Sequence, residues 1–165
     1  MSSFNYAYKM PAATATGLIF FRKNERIHIV LAKRGDNVDA YPGMYCLPGG
    51  FLEVGRERLC EAMAREAREE LNVYSDSDDW VLFHVQDTFA DIDPRNEHTI
   101  NSCFYLDIDE FAYGYERAIE TLVAGDDIGD YLIVPLDTAI HMKLAFDHSI
   151  ILQAFCAFAT RPRLF

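Results

Sequence analysis

The sequence predicts an α/β fold in which a mixed β-sheet lies between helices, and two observations favour this class. Apolar runs of strand length alternate with two stretches that carry apolar residues at helical spacing, over residues 59 to 71 and 150 to 158. Strands interleaved with two main helices fit a sheet that is covered on both faces. Half of the 165 residues are hydrophobic, including 12 Phe and 9 Tyr, which suits a full core. We therefore expect one domain over residues 1 to 165.

The first third of the chain predicts a β-hairpin. Residues 1 to 12 show no clear period, so a strand extension, a dimer arm and a loose end all remain open. Residues 13 to 22 and 27 to 32 are apolar runs that predict two strands joined by a polar turn. A polar loop is expected over residues 33 to 47, and its basic residue Arg34 leads toward the glycines that follow.

The rest of the chain predicts more strands and a closing helix. Strands are expected at residues 80 to 89, 99 to 106 and 131 to 135. A polar hairpin loop over residues 90 to 98 separates the first two of these strands. Residues 107 to 129 are acidic and aromatic and predict a loop with a short helix. Asp147 is expected to cap the final helix, which has one apolar face.

Composition limits the partners and the compartment. The formal net charge of -11 argues against a nucleic-acid backbone as the main partner, although bound cations would still allow a small nucleotide. The four cysteines show no Cys-x-x-Cys pair, which is typical of reduced thiols in a cytoplasmic protein. No apolar run reaches the length of a membrane span and no signal peptide is visible, so we expect no membrane partner.

Three glutamates lie on one face of the first predicted helix. Glu66, Glu69 and Glu70 are three and four residues apart, so they share a face one turn deep. Mixed Glu and Arg on a helix usually mean a solvated face, but Gly49 and Gly50 predict a tight turn at the right distance upstream. Close carboxylates repel one another until a cation neutralises them, and oxygen ligands suit Mg²⁺ or Mn²⁺. We expect these glutamates to bind such an ion, with the Gly49 carbonyl as a further ligand.

Residues 47 to 73 resemble the Nudix box, the signature of the Nudix hydrolases. Glu57, seven further residues and then Arg65-Glu66-Ala67-Arg68-Glu69-Glu70-Leu71-Asn72-Val73 follow the pattern closely. Six residues rather than five separate Gly50 from Glu57, so the loop has one extra residue. Asn72 stands where the family has Gly, which is a mild change because Asn tolerates a left-handed helix end. The resemblance implies that Glu57 pairs with Arg65 and that this pair, like Gly50, is structural.

The resemblance extends to the ADP-ribose pyrophosphatase group of the family. The matching segments are residues 47 to 55, 91 to 95, 98 to 100, 124 to 127, 135 to 136 and 144 to 148. This likeness implies a Nudix-type α/β/α sandwich. It also implies that Glu66, Glu69 and Glu70 are the metal-binding and catalytic residues, with Glu69 or Glu70 helping to remove a proton from water.

Residues outside the helix are candidates to bind the substrate. Arg95 in the 90 to 98 loop would contact phosphate or ribose, with an exposed loop arginine as the alternative. Arg34 would touch substrate phosphate or remain a solvated surface residue. Phe51 would stack on a base or pack in the core. Asp93 or Glu97 would serve as a later metal ligand or base.

The expected activity is metal-dependent hydrolysis of the pyrophosphate bond in a nucleoside diphosphate linked to another group. ADP-ribose, cut to AMP and ribose 5-phosphate, is the substrate that the resemblance favours. A nucleoside triphosphate pyrophosphatase is one alternative. A non-catalytic sensor of ADP-ribose-type ligands is another, although such sensors carry a DNA-binding segment for which we expect no room after the last helix. Many relatives are homodimers, and the N-terminal arm would serve as an interface, but the sequence leaves this open.

Overall fold

The computed structural model describes residues 10–95, 97–125 and 127–160. Within them the strands are β1 (Ala12–Lys23), β2 (Arg26–Arg34), β3 (Tyr45–Cys46), β4 (Gly49–Phe51), β5 (Val81–Thr88), β6 (Thr99–Asp107) and β7 (Ile128–Pro135). The helices are α1 (Leu59–Leu71), α2 (Gly114–Glu120), α3 (Leu136–Ala139) and α4 (His148–Ala159). Single 3-10 turns lie at Ser77–Asp79 and Ile108–Glu110.

The sheet is mixed, which confirms the predicted fold class. Strand β1 runs parallel to β6 along one edge and antiparallel to β2 along the other. Beyond these neighbours, β5 pairs with β6 and β7 pairs with β2, both antiparallel. The pairing order across the sheet is therefore β7-β2-β1-β6-β5, with β3 and β4 held beside β2 and β1.

Successive side chains of β1 point to opposite faces of the sheet, so the strand contributes to two separate layers of the core. Ile19 and Phe21 belong to the hydrophobic cluster that contains the buried face of α1. Leu18 and Phe20 belong to the second cluster, which contains the buried apolar residues of α4. Each fully buried Leu, Ile or Phe side chain contributes about 1.5–3 kcal/mol of transfer free energy, so both faces of the sheet are held firmly. Helices on both faces complete the α/β/α sandwich.

Strands β1 and β2 separate at one end, and two short strands fill the gap. Residues 19–23 of β1 pair with β2, whereas residues 14–16 of the same strand pair with β4. The predicted tight turn at Gly49 and Gly50 is wrong, because these glycines form β4 with Phe51 and pair antiparallel to β1. A two-residue glycine signal cannot distinguish a turn from a strand that approaches another backbone closely.

Other differences from the predictions are small. Strand β3 lies inside the expected 33 to 47 loop, β7 begins three residues earlier than expected, and α3 was not predicted. Asp147 stands at the N-cap of α4, but its side chain makes no capping hydrogen bond. Residues 1–9 of the predicted arm, Asn96 of the predicted loop and Asp126 of the matching 124 to 127 segment lie outside the described residues. Among the helices described, none has the length and apolar character needed to cross a membrane.

Candidate active site

Helix α1 carries the glutamates because its other face is firmly packed. Ala62, Met63, Ala67 and Leu71 are fully buried at helical spacing. The helix begins after Arg58 and ends at Asn72, which adopts the left-handed conformation (φ 57°) expected of a residue that replaces Gly there. The fixed ends and the buried stripe set the rotation of the helix, and that rotation turns Glu66 and Glu70 toward β4.

Glu66 and Glu70 lie directly under the two glycines of β4. The Gly49 N–H donates a hydrogen bond of 3.0 Å to Oε2 of Glu70, which is only 4% exposed. A Cβ atom placed on Gly50 would lie 2.5 Å from Oε1 of Glu66. Burial raises the pKa of Glu66 and raises that of Glu70 well above its ordinary value, and their mutual repulsion adds to the second shift.

Arg65 links the loop before α1 to the glutamates. Its guanidinium donates two hydrogen bonds to Glu57, at 3.0 and 2.9 Å, and one of 3.1 Å to the Phe51 carbonyl. It also donates to Glu66 at 2.7 Å and to Glu69 at 3.1 Å. These charge-assisted bonds lower the pKa of Glu57, the first cause being the hydrogen bond from Arg65. The extra loop residue therefore does not prevent Glu57 from reaching the box arginine.

The carboxylate oxygens of the three glutamates are only partly arranged to bind a hard divalent cation. Glu66 and Glu70 supply carboxylate oxygens that repel each other in a buried place, which is the situation that a bound cation relieves. Glu69 is instead half exposed and paired with Arg65 four residues earlier. In residues 10–95, 97–125 and 127–160, no three His, Cys, Asp or Glu side chains already form a metal-holding group. Glu66 and Glu70 thus line the cavity together, although Glu66 also pairs with Arg65, and the more exposed Glu69 would have to leave Arg65 to join them.

Arg95 is held between an acidic partner and two aromatic rings. Asp93, buried in the same loop, accepts from Nε of Arg95 at 3.0 Å and from Nη2 at 2.8 Å. Burial works to raise the pKa of Asp93, but the hydrogen bonds from Arg95 outweigh it and the pKa is lowered. The guanidinium lies 5.0 Å from the centre of the Phe51 ring and 5.5 Å from that of Phe146. Phe51 is 39% exposed, so it lies at the cavity mouth rather than in the core.

Arg34 also lies close to Phe146, one of the two rings beside Arg95. Its Nε donates to the Ala40 carbonyl at 2.6 Å, and its guanidinium lies 5.5 Å from the centre of the Phe146 ring. Nη2 of Arg34 lies 3.9 Å from an Asp127 carboxylate oxygen. Two arginines thus share one phenylalanine in the cavity that Glu66 and Glu70 also line, and they offer positive charge to an anionic ligand there.

His148 is buried at the start of α4. Its Nδ1 accepts a hydrogen bond of 2.9 Å from the Leu47 N–H. Burial lowers the pKa of His148 to about 3, and the charge of Arg34 adds to the shift, so the imidazole is neutral at physiological pH. Asp147 beside it accepts a 2.7 Å hydrogen bond from the Thr88 hydroxyl instead of capping the helix.

The buried imidazole predicts an acid-sensitive contribution to stability. The folded pKa of His148 is about 3 and the ordinary value is 6.5, so only the unfolded chain takes up this proton between those limits. Stability should therefore fall as the pH drops below 6.5, by up to about 1.4 kcal/mol per pH unit from this group. His148→Asn should lose this contribution to the pH dependence of the unfolding free energy, while its side-chain oxygen can still accept the hydrogen bond from the Leu47 N–H. Urea unfolding of both proteins between pH 7.5 and 5 measures it, and equal slopes would contradict the prediction.

Comparison with known proteins assigns the family. The family described as the NUDIX domain matches residues 11–155 of the chain. The chain belongs to the Nudix family. The ADP-ribose pyrophosphatase of Methanocaldococcus jannaschii is 35% identical over 148 residues, which covers 90% of this Nudix chain and 75% of that protein. The chain is thus a Nudix pyrophosphohydrolase.

Two further comparisons bear on fold and chemistry. The NUDIX domain of NrtR from Shewanella oneidensis, in a cocrystal structure with ADP ribose, superposes on the Nudix chain with a TM-score of 0.73 and 20% identity. That match covers 93% of this chain and 92% of the other, and at this identity it shows the shared fold. The nucleoside triphosphatase NudI of Salmonella agona is 43% identical over 58 residues, which is 33% of this chain and 40% of that protein.

The structure gathers most of the predicted residues of the Nudix chain around one cavity of about 350 Å³. The predicted residues that line it are Arg34, Gly49, Gly50, Phe51, Arg65, Glu66, Glu70, Asp93 and Arg95. Sequence reasoning gave no role to Phe146, Asn101 or Thr16, which also line the cavity. The only signal for Phe146 was its place in the 144 to 148 segment that matches the ADP-ribose pyrophosphatase group.

Proposed function

We propose that this Nudix enzyme hydrolyses ADP-ribose to AMP and ribose 5-phosphate with Mg²⁺ or Mn²⁺. The observation that carries the proposal is the cavity lined by the buried Glu70, the half-buried Glu66 and two arginines, Arg34 and Arg95. A pyrophosphate is bound well by a cation that carboxylates hold together with arginines that pair with its remaining oxygens. The choice of ADP-ribose rests on the 35% identity to an ADP-ribose pyrophosphatase across 90% of the chain.

The chain's own residues have separate tasks in the proposed reaction. Glu66, Glu70, Glu69 and the Gly49 carbonyl would hold the ion, which when bound neutralises phosphate charge and makes a water molecule more acidic. Glu70 or Glu69 then takes the proton from the attacking water. Burial raises the pKa of Glu70, and this supports its proposed role because a bound cation would offset the cost of its charge.

Binding and charge stabilisation belong to the arginines and aromatic rings. Arg95 and Arg34 hold phosphate oxygens and stabilise the negative charge that develops on the leaving phosphate. Phe51, exposed at the mouth, offers a ring on which a base can stack. Arg65 and Glu57 keep the loop before α1 fixed to the helix, so that Gly49 and Gly50 stay above the glutamates.

A product assay tests the proposal. Purified protein with Mg²⁺ is offered ADP-ribose, NADH, dinucleoside polyphosphates, nucleotide sugars and nucleoside triphosphates, and the products are separated by chromatography. We expect the highest kcat/KM for ADP-ribose, with AMP and ribose 5-phosphate in equal amounts. Activity on the other substrates without activity on ADP-ribose would refute the substrate assignment, and tight ADP-ribose binding without turnover would favour a sensor.

Arg95→Lys should raise KM for ADP-ribose about tenfold, because Lys keeps the charge but loses the two-pronged contact and the flat surface that stacks on rings. Turnover should change less than KM, since the residue is proposed to bind substrate. Steady-state kinetics measures both constants. Arg26→Lys is the matched control, because Arg26 also forms two hydrogen bonds to one carboxylate, that of Asp137, but is exposed outside the cavity. An unchanged KM in Arg95→Lys would exclude Arg95 from the binding site.

A nucleoside triphosphate pyrophosphatase is the second candidate, and the match to NudI favours it. That match covers only a third of this chain, whereas the match to the ADP-ribose pyrophosphatase covers 90%. The two activities use the same metal-binding residues and differ in the groups beyond the scissile bond. Release of inorganic pyrophosphate from a nucleoside triphosphate in the substrate screen would support the second candidate.

A further inference from the structure

Buried polar side chains are concentrated in one part of the molecule. In the described residues, nine polar or charged residues are buried, and all except Ser102 line the cavity. Six of them form a patch that we call the polar floor: Thr16, Thr88, Thr99, Asn101, Asp147 and His148. Buried polar groups are retained where they are hydrogen-bonded or where a ligand satisfies them.

The polar floor begins where helix α4 stops covering the sheet. On the α4 side of β1, Leu18 and Phe20 pack in the second hydrophobic cluster. Thr14 and Thr16 continue the same alternating face toward the start of the strand, where the cavity lies. The neighbouring strand β6 presents polar Thr99 and Asn101 beside them. The sequence thus changes from apolar to polar where the cavity replaces the helix.

Asn101 has hydrogen-bonding capacity that the protein does not use. Its Nδ2 donates to the Thr16 hydroxyl at 2.9 Å, and the residue is only 5% exposed. Within the part of the chain that the structure describes, its Oδ1 is buried and has no hydrogen-bond partner. If the amide were turned over, the nitrogen would be left without a partner instead. An unpaired buried polar atom costs about 1–3 kcal/mol, so a ligand that pairs with it gains affinity.

His148 offers the complementary group. Because Nδ1 accepts from the Leu47 N–H, the neutral ring carries its proton on Nε2, which can donate. The Asp147 carboxylate, which accepts from Thr88, retains further acceptor capacity beside it. The floor therefore needs a ligand with groups that both donate and accept, as sugar hydroxyls do.

We propose that the polar floor is a subsite for a ribose, with Asn101 and His148 binding its hydroxyl groups. This assignment rests on the proposed function, in which ribose 5-phosphate is one product. The strands of the floor offer Thr and Asn side chains rather than aromatic rings, whereas Phe51 and Phe146 stand at the mouth with Arg95. A base stacks at the mouth, and the sugar at the far side of the pyrophosphate enters the floor.

Direct binding of small probes tests the subsite independently of turnover. Ribose 5-phosphate, 2-deoxyribose 5-phosphate, AMP and inorganic phosphate are titrated by calorimetry into the wild type, Asn101→Leu and Thr99→Val with Mg²⁺ present. We expect the wild type to bind ribose 5-phosphate about tenfold more tightly than inorganic phosphate, the worth of one or two hydrogen bonds. Both variants should lose most of this preference. Asn101→Leu loses the hydrogen bond to Thr16 but also removes an unpaired buried oxygen, so its melting temperature should change little.

The outcomes separate the subsite from the enzymatic activity. Ser102→Ala is the control and should keep the preference, because Ser102 is the one buried polar side chain among the described residues that lies outside the cavity. The subsite is refuted if the wild type shows no preference for ribose 5-phosphate over phosphate, or if folded Asn101→Leu and Thr99→Val both retain it. If the two floor variants bound AMP more weakly but ribose 5-phosphate as tightly as the wild type, the floor would be a base subsite and the ribose assignment would be refuted. Failure to hydrolyse ADP-ribose, with the sugar preference intact, would refute only the proposed function.

Discussion

Glu70→Gln is expected to lose hydrolytic activity by a factor on the order of 10²–10⁴, the usual worth of a general base, while the protein remains folded. Gln can still accept the hydrogen bond from the Gly49 N–H, so β4 keeps its contact with α1. It cannot carry the charge that holds a cation, nor can it take a proton from water. Because Glu70 is only 4% exposed and burial opposes its charge, the neutral side chain should not lower stability.

The measurement is the initial rate with ADP-ribose over a range of Mg²⁺ concentrations, combined with a thermal melt of the same samples. Glu61→Gln is the matched control, since Glu61 lies in the first turn of the same helix and only accepts from the Arg58 N–H, which Gln can also do. Glu66→Gln should behave like Glu70→Gln. Full activity in both variants at cavity positions 66 and 70 would refute the site.

Much of this site follows from local patterns, which is why the sequence predicts it. Helical spacing alone places Glu66, Glu69 and Glu70 on one face, because a helix is fixed by nearby residues. The spacing does not decide which of the three enters the cavity. Arg65 pairs with both Glu66 and Glu69, yet Glu66 also lies beneath Gly50 in the cavity, whereas Glu69 stays exposed outside it.

The parts that the sequence did not predict depend on contacts between distant segments. Asn101 donates to Thr16 across 85 positions of the chain, and the pairing of β1 with β6 alone creates that contact. Arg34 and Arg95 both meet Phe146, which comes more than 50 residues after the second arginine. A periodic pattern along one segment cannot predict such contacts, because they depend on how distant strands pair with one another. Gly49 and Gly50 lie in a strand for the same reason, because their pairing with the distant β1 places them there.

The two glycines of β4 should respond to alanine in different ways. A Cβ on Gly49 would lie 2.2 Å from the Ala15 carbonyl oxygen, and the φ of +147° is one that other residues rarely adopt. Gly49→Ala must therefore push β4 away from β1, with an expected loss of stability on the order of 3 kcal/mol. The three atoms nearest to a Cβ on Gly50 all belong to the end of the Glu66 side chain, which can rotate. Gly50→Ala should keep its stability within about 1 kcal/mol.

Gly50→Ala is expected to lose catalytic activity although it stays folded. Moving the Glu66 carboxylate out from under Gly50 should reduce kcat about 10- to 100-fold in a folded protein, because misplacing a catalytic group by about 1 Å has effects of this size. Urea unfolding and ADP-ribose kinetics measure the two properties on the same samples. Gly129→Ala is the control, since a Cβ there makes only ordinary contacts of 3.6 Å or more. If Gly50→Ala kept full activity, the position of Glu66 beneath this glycine would have no part in catalysis; if Gly49→Ala were as stable as the control, the close approach of β4 to β1 would not be needed to hold the site.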